Sequence, residues 1–263
     1  MVGGWWDNGG GFFGDPYIEA DNSLSGFLAA SASLEERTKR EALGVVRLTG
    51  AKTGQRVLDC PCGYGRHSLA LADLGLEVLG LDINEQMLAA GRNAIPGRSA
   101  THCVFERGDM RTLDYRDEFD LLINMFYSFG FFEDDENLGV LRNFYRALNP
   151  GGAFLMHTFV TPEKFARGTM VLHDVRELRS GRRLELSRSF NPANSREEGT
   201  WVLLDTSDRE EKLTPYSMRI YTGAEWVALC QGVGFGEVAL HGDWDGAPYV
   251  AGVSPQMIAI ARK

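Results

Sequence analysis

The turn Asp59–Gly65, with the sequence DCPCGYG, combines residue types that suit ligand binding. It follows a predicted strand that ends in Asp59, and it leads through Pro61 into a predicted helix. Gly63 and Gly65 let the backbone turn sharply and approach a ligand closely, and the first N–H groups of the helix attract an anion. The pattern predicts a nucleotide-like ligand, although a plain tight connection between strand and helix has the same residues.

Polar side chains recur where the next predicted strands end. Asp82 lies about 20 residues beyond the turn, where a carboxylate accepts hydrogen bonds from ribose hydroxyls. Asp109 is placed to accept from an adenine amino group, with Ile83 or Met110 against the ring. Asn124 ends the fourth strand, where polar groups meet an amino-acid moiety. Ribose, adenine and amino acid in that order describe S-adenosylmethionine, whereas a dinucleotide needs a further βαβ half.

The elements that must position these residues alternate from residue 55 to residue 160, with short apolar runs followed by helical spacings. This alternation indicates βαβ units and a parallel sheet. Residues 170–221 contain alternating runs divided by turn residues, which predicts an antiparallel insertion. Thr222 is placed to cap a returning helix. Two terminal strands are expected to lie antiparallel at the sheet edge.

The N-terminal residues 1–17 are rich in glycine and aromatic side chains, so no regular element is expected there. They form either a flap that covers a ligand or a segment that only packs on the core. We therefore divide the chain into a flap at 1–33, a core at 34–169 with 222–263, and an inserted lid at 170–221.

The segments VLDCPCGYGRHS, LGLDIN, GDMR and FDLLINMFYSFGFF resemble successive motifs of class I S-adenosylmethionine-dependent methyltransferases. Over nearly the whole chain, the sequence is similar to a bacterial group of small-molecule methyltransferases with an inserted β lid. The resemblance implies a Rossmann-like, mostly parallel seven-stranded sheet flanked by helices. It also implies that both glycines of the turn face the cofactor, that Asp82 holds the ribose and that Asp109 and Met110 hold the adenine. Asn124 then lies near the methionine part.

Two positions depart from the family pattern. Pro61 stands where the turn usually has its first glycine, and proline fixes φ and removes an N–H donor. Phe131 occupies the place where the related sugar-amine N-methyltransferases of macrolide pathways carry a histidine. The second departure argues against a sugar-amine substrate.

Two residues are candidates for catalysis. Methyl transfer mainly requires alignment of the nucleophile and the methyl group, and a base is needed only when the nucleophile must lose a proton. His157 ends the fifth strand, at the edge where ligands bind in open α/β sheets, and is either this base or a histidine satisfied at a strand end. Tyr17 is expected to close over the sulfonium through a cation–π contact or to orient the substrate.

Candidates for contact with the acceptor lie after the fourth strand and near the C-terminus. Phe126, Asp245 and Tyr249 are predicted to line the acceptor pocket, although Asp-Gly in the terminal loop is also an ordinary turn signal. Arg37 and Arg40 lie on the helix before the sheet. Either one of them pairs with the methionine carboxylate, or both belong to a solvated face.

Composition excludes several classes of partner. The formal net charge of −9 disfavours phosphate backbones, so nucleic acid is not expected as a partner. The four cysteines form no C-x-x-C pair, which favours reduced thiols in a cytoplasmic protein and no metal site. No apolar run approaches about 18 residues, and the N-terminus lacks the regions of a signal peptide. We predict a monomer or homodimer that acts on a small molecule.

Two other functions share the glycine turn. One is a methyltransferase-like protein that only binds the cofactor and serves as a partner or regulator. The other is a nicotinamide oxidoreductase, for which residues 161–263 lack the pattern of a second nucleotide-binding half. Methyl transfer to an N, O or C nucleophile is the leading hypothesis.

Overall fold

The computed structural model describes Trp6 and residues 13–21, 33–96 and 102–263. The N-terminal half of the described chain contains α1 (Asp15–Asp21), α2 (Leu34–Thr49), β1 (Arg56–Asp59), α3 (Arg66–Asp73), β2 (Glu77–Asp82), α4 (Glu85–Asn93), β3 (Cys103–Arg107), a 3-10 turn (Met110–Thr112), β4 (Phe119–Asn124) and α5 (Asp134–Ala147). The C-terminal half contains β5 (Leu148–Thr158), α6 (Pro162–Ala166), β6 (His173–Glu177), β7 (Arg183–Asn191), β8 (Arg196–Leu204), β9 (Glu210–Lys212), β10 (Tyr216–Arg219), α7 (Gly223–Val233), β11 (Val238–His241) and β12 (Met257–Arg262).

The larger sheet has seven strands in the order β11-β12-β5-β4-β1-β2-β3. Neighbours from β5 to β3 are parallel, and β12 is antiparallel to both β5 and β11. The predicted Rossmann-like, mostly parallel sheet with antiparallel terminal strands is therefore confirmed. Because β1 and β4 are adjacent while their connections leave in opposite directions, a crevice opens at their carboxyl ends.

The smaller sheet has five strands and is antiparallel throughout. Its order is β10-β8-β7-β6, and β9 pairs with the far end of β8. The predicted antiparallel insertion is confirmed, and its strands lie between residues 173 and 219. Along β7 and β8 buried side chains alternate with more exposed ones, as expected for a sheet with one covered face.

Two apolar cores lie on the two faces of the larger sheet. Phe144 of α5 and Trp226 of α7 belong to one core, which continues into the lid. Val45, Leu69 and Leu88, from α2, α3 and α4, belong to the other. The strands of a parallel sheet are buried on both faces, and this explains their almost continuous apolar sequence.

Local sequence signals define several helix ends. Thr222 caps α7 as predicted, since its side chain accepts from the Glu225 N–H while Glu225 bonds back to the Thr222 N–H. Ser33 and Glu36 form the same capping box at α2. The expectation of no regular element in residues 1–17 is wrong at its end, because α1 begins at Asp15. In the part of the chain that the structure describes, no helix is both long and apolar enough to cross a membrane.

Candidate functional site

A cavity of about 830 Å³, partly open to solvent, lies at the carboxyl ends of β1 to β4. The turn after β1 forms its floor, the ends of β2 and β3 form one side, and aromatic residues close the other. The cavity wall includes six of the nine residues predicted to contact the cofactor: Pro61, Gly63, Asp82, Ile83, Asp109 and Met110. Tyr17, a catalytic candidate, and Phe126, a predicted acceptor contact, lie on the same wall.

The turn depends on backbone conformations that favour glycine. Gly63 and Gly65 have φ values of 57° and 76°, both in the left-handed region. A Cβ atom at Gly65 would overlap the ring of Phe105, so α3 can begin so close to the sheet only with glycine there. The Gly63 N–H donates to Asp82 Oδ2 at 2.8 Å, which ties the turn to the end of β2.

Asp82 is buried at the cavity wall. Its second oxygen, Oδ1, accepts from the Asn84 N–H at 2.8 Å, so the two backbone bonds fix the plane of the carboxylate. Burial raises the pKa of Asp82 above its ordinary value, and the backbone donors oppose this shift. Each oxygen keeps further acceptor capacity for a ligand hydroxyl.

Just after β3, the carboxylate of Asp109 pairs with the guanidinium of Arg111. Asp109 Oδ2 accepts from Arg111 Nη2 at 2.7 Å and from Nε at 3.0 Å. Burial opposes the charge on Asp109, but Arg111 outweighs burial and lowers the pKa of this carboxyl. The Arg111 guanidinium also lies 4.6 Å from the centre of the Phe132 ring. Arg111 therefore uses much of the acceptor capacity that sequence reasoning assigned to adenine.

Three of the predicted cofactor residues lie outside the cavity wall. Asp59 is buried beneath the turn, where Oδ2 accepts from Ser68 Oγ at 2.5 Å, and burial raises the pKa of Asp59 to about 7. Asn124 is also buried, and its Nδ2 donates to the Cys60 carbonyl at 2.9 Å. Gly65 serves the junction with α3. These residues support the turn from below instead of facing the cavity.

A cluster of buried charges adjoins the cavity. Arg66 Nη1 lies 2.5 Å from Glu41 Oε2, and its Nε lies 3.4 Å from Asp21 Oδ2. The side chain of Arg66 is 9% exposed and lines the cavity, and its buried Nη2 has no hydrogen-bond partner among the described residues. His67 Nε2 lies 2.9 Å from Glu41 Oε2, and burial lowers the pKa of His67 to about 4.

Sequence reasoning considered other arginines for this place. Arg37 pairs with Asp21 Oδ1 at 2.5 Å, and Arg40 is exposed on α2. Arg66 was missed, although its position directly after Gly65 put it in the first turn of the helix. A charged residue next to a glycine of a ligand-binding turn is the sequence signal that predicts a ligand-binding arginine such as Arg66.

The two catalytic candidates have different surroundings. Tyr17 lines the cavity, and burial together with the charge of Asp21 raises its pKa well above the ordinary value. His157 is 2% exposed and lines neither this cavity nor the one described below. Its Nδ1 accepts from the Phe126 N–H at 3.4 Å, and its Nε2 lies 3.1 Å from Gln256 Oε1. Both ring nitrogens are thus engaged inside the protein.

A second cavity of about 730 Å³ lies between the core and the lid, and it shares residues with the first. The shared residues are Phe13, Tyr17, Phe126, Ser128 and Phe131.

The junction between the two cavities has unusual backbone geometry. Phe126 and Tyr127 have φ values of 57° and 51°, which are strained for non-glycine residues and occur often at functional sites. Phe131, at the place of the histidine in sugar-amine enzymes, lies on both walls. The aromatic side chain therefore fills a position directly between the two cavities.

The terminal loop does not reach either cavity. Asp245 is exposed and ion-paired with Arg47 at the far end of α2. Tyr249 packs near Gly223, at the start of α7. The structure thus separates both residues from Phe126, the third predicted acceptor contact, which lines both cavities.

The chain has matches among known proteins. A methyltransferase domain family matches residues 57–152. A dTDP-3-amino-3,4,6-trideoxy-alpha-D-glucopyranose N,N-dimethyltransferase of Streptomyces venezuelae is 30% identical over 159 residues, 59% of this chain and 64% of that protein. A demethylmenaquinone methyltransferase of Renibacterium salmoninarum is 35% identical over 127 residues, 48% and 50% of the two chains. Both matches span less than two thirds of the relative's length.

Solved structures share the fold over most of the chain. The CcbJ methyltransferase from Streptomyces caelestis has a TM-score of 0.72 at 20% identity, with 93% of this chain and 97% of that one covered. CalS10 with bound S-adenosylmethionine, an amino pentose methyltransferase from Micromonospora echinaspora, has a TM-score of 0.65 at 22% identity, with 88% and 92% covered. The family match identifies residues 57–152 as a methyltransferase domain, and the solved structures share the fold of this chain.

Proposed function

We propose that this chain transfers a methyl group from S-adenosylmethionine to a nucleophile of a small molecule bound between the core and the lid. The observation that carries the proposal is the shared wall of the two cavities, which includes Tyr17, Phe126 and Phe131. A methyl group at this wall lies between a cofactor in one cavity and an acceptor in the other. Such alignment is the main contribution of an enzyme to a displacement reaction.

The residues of the first cavity suit the cofactor. Asp82 has acceptor capacity for ribose hydroxyls, and Ile83 and Met110 provide apolar contact for adenine. The buried Arg66 Nη2 lacks a partner in the described chain, and a carboxylate would supply one. We assign the methionine carboxylate to Arg66. Bound S-adenosylmethionine supplies an electrophilic methyl group on a positively charged sulfur. The ring of Tyr17 can stabilise this positive charge through a cation–π contact.

The protonation states favour a nitrogen nucleophile over an oxygen or a carbon. Tyr17 is protonated at neutral pH like any tyrosine, and its raised pKa makes loss of the proton harder still, so its hydroxyl donates a hydrogen bond and orients the acceptor instead of removing a proton. His157 is enclosed away from both cavities. A neutral amine needs no base before it attacks the methyl group, and the relatives named above include methyltransferases of amino sugars.

Four further proposals concern partners, location, domain division and oligomeric state. The net charge of −9 disfavours nucleic acid as a partner. All four cysteines are buried and form no disulfide within the described part of the chain, which fits the reducing cytoplasm. The two separate sheets support a core at 34–169 with 222–263 and an inserted lid at 170–221, and most of the proposed flap at 1–33 lies outside the described residues. We also propose a monomer or a homodimer.

Calorimetric titration with S-adenosylmethionine, followed by mass spectrometry of a panel of small amines and alcohols, tests the function. We expect cofactor binding and a methylated product. Binding without transfer to any member of a broad panel would favour a regulator or partner, and tighter binding of a nicotinamide dinucleotide would favour an oxidoreductase. A chain that does not bind S-adenosylmethionine would overturn the proposal.

A further inference from the structure

The lid buries a charged pair beside apolar side chains on the face that lines the second cavity. Strand alternation places Arg188 of β7 on the same face as Leu184 and Leu186. On β8, the same alternation places Glu197 on the face of Trp201. The side chains of Arg188 and Glu197 are 4% and 0% exposed, and Arg188 Nη1 lies 3.2 Å from Glu197 Oε1. Two ionised groups are therefore removed from water at the lid face that lines the second cavity.

Glu197 joins this arginine to two tyrosines. The Tyr127 hydroxyl donates to Glu197 Oε2 at 2.5 Å, and the Tyr216 hydroxyl donates to Oε1 at 2.7 Å. Gly199, which pairs with Tyr216 across the sheet, leaves the space that the tyrosine ring occupies. A buried ion pair contributes little net stability, because the cost of removing both charges from water offsets most of their attraction. The arrangement is better explained by the three donor side chains that Glu197 holds in place.

The second cavity is lined by two arginines but not by the carboxylates that pair with them. Arg176 and Arg188 line it, whereas Asp174, which lies 3.0 Å from Arg176, and Glu197 do not. Among the described lining residues only Asp21 is acidic.

The acidic residue of this wall is already engaged. Asp21 lies 2.5 Å from Arg37 Nη2, accepts from the Tyr64 hydroxyl at 2.6 Å and lies 3.4 Å from Arg66 Nε. The wall therefore presents positive charge and hydrogen-bond donors among aromatic rings.

We infer that the methyl acceptor carries an anionic oxygen group, a carboxylate or a phosphate, which Arg188 and Arg176 bind on the lid side of the cavity. An apolar or aromatic ring of the acceptor packs between Phe159 and Trp201, which line the same cavity. Glu197 acts as a positioning residue for Arg188. The inference rests on the proposed function, because that function makes this cavity the acceptor site.

The test uses the full chain saturated with S-adenosylhomocysteine, whose binding is measured first by calorimetry. 4-Aminobenzoate, phenyl phosphate and the uncharged 4-aminobenzamide are then titrated as probes. A charge-assisted bond predicts that at least one anion binds roughly tenfold or more tightly than the amide. The stronger of the two anions indicates whether the natural group is a carboxylate or a phosphate.

Two variants and a matched control locate the effect. Arg188→Met is expected to abolish the preference for the anion over the amide. Arg176→Met, at the less buried of the two arginines, is expected to reduce this preference, and it provides the test if Arg188→Met does not fold. Arg183→Met is the control, because Arg183 lies on the same strand but pairs with Asp208 at the surface. It is expected to keep the preference of the wild type.

Failure of the inference differs from failure of the proposed function. Absence of S-adenosylhomocysteine binding would overturn both. The inference alone is overturned if the loaded protein binds the amide as tightly as the anions, binds neither anion, or keeps the preference in both arginine variants.

Discussion

At the scale of single residues, the first cavity combines a carboxylate that backbone donors fix with an arginine that has one nitrogen without a partner in the described chain. Asp82 is held by two N–H groups at the cavity wall. Arg66 is balanced by Asp21 and Glu41 but has one buried nitrogen without a partner in the described chain. Such groups suit the binding of a ligand because their positions are set before the ligand arrives.

Replacement of Asp82 tests the ribose assignment. Asp82→Ala is expected to weaken S-adenosylmethionine binding by about 1–3 kcal/mol, because buried ribose hydroxyls lose their acceptor. Calorimetric titration measures the dissociation constant. Asp114→Ala removes a carboxylate that is 80% exposed and is expected to leave it unchanged. Unchanged affinity in Asp82→Ala would refute the assignment.

Replacement of Arg66 tests the carboxylate assignment. Arg66→Met is expected to weaken binding of S-adenosylhomocysteine roughly tenfold or more, because a charge-assisted hydrogen bond is lost. 5′-Methylthioadenosine lacks the amino-acid part, so its affinity is expected to change little. This comparison also controls for damage to the fold, since the variant leaves the charges of Asp21 and Glu41 less balanced. Equal losses for both ligands would contradict the assignment.

At the scale of elements, the junction between β1 and α3 controls the geometry of the cofactor cavity. Gly65 starts the helix with a left-handed φ and lies directly against Phe105 of β3. Asp59 and Asn124 lie below the same junction and hold it through Ser68 and the Cys60 carbonyl. Strand, turn and helix therefore form one unit, and a change at any of its contacts should alter cofactor binding.

Gly65→Ala is expected to lower both stability and cofactor affinity. The added methyl group meets the Phe105 ring, and the left-handed φ of 76° strains any other residue. A loss of unfolding free energy of about 1–3 kcal/mol is expected from urea denaturation. Gly139→Ala, within α5 and without neighbours around the new methyl group, should be neutral or stabilising by up to about 1 kcal/mol. Equal effects in both variants would argue against a special role for Gly65.

At the scale of the whole molecule, buried titratable groups couple stability to pH. Burial lowers the pKa of His67 and His157 from 6.5 to about 4. The unfolded chain therefore takes up protons on these residues before the folded chain does, and stability is lost as pH falls from 6.5 towards 4. Burial raises the pKa of Asp59 to about 7, which acts in the opposite sense. Asp59 is present in all variants compared below, so its effect cancels.

His157→Asn is expected to lose less stability in acid than the wild type. The difference in unfolding free energy between pH 7 and pH 4 should be smaller by about 3 kcal/mol, as the pKa shift of His157 requires. Denaturation with urea at several pH values measures it, with the exposed His173→Asn as the control. The variant should also retain turnover with an unchanged pH profile, because His157 lines neither cavity. Lost turnover, or loss of the acidic limb on which activity rises as the base deprotonates, would instead restore His157 as the base.

The sequence by itself determined the alternation of strands and helices, the antiparallel insertion, the cap at Thr222 and the order of the cofactor motifs. These features depend on local propensity and on periodicity, which neighbouring residues carry along the chain. It also predicted Asp82 and Tyr17, and both line the first cavity. Asp82 lies there because it ends a parallel strand.

Only the tertiary structure decided which polar residues share a wall. Arg188 and Glu197 are nine residues apart on neighbouring strands, and their pairing depends on the register of the lid. His157 has the residue type of a base, but packing encloses both of its nitrogens. Asp245 has a suitable charge, but its loop leads to α2. These three outcomes depend on contacts between residues that are far apart in the sequence. The spacing of two residues along the chain does not give the distance between them in the folded protein.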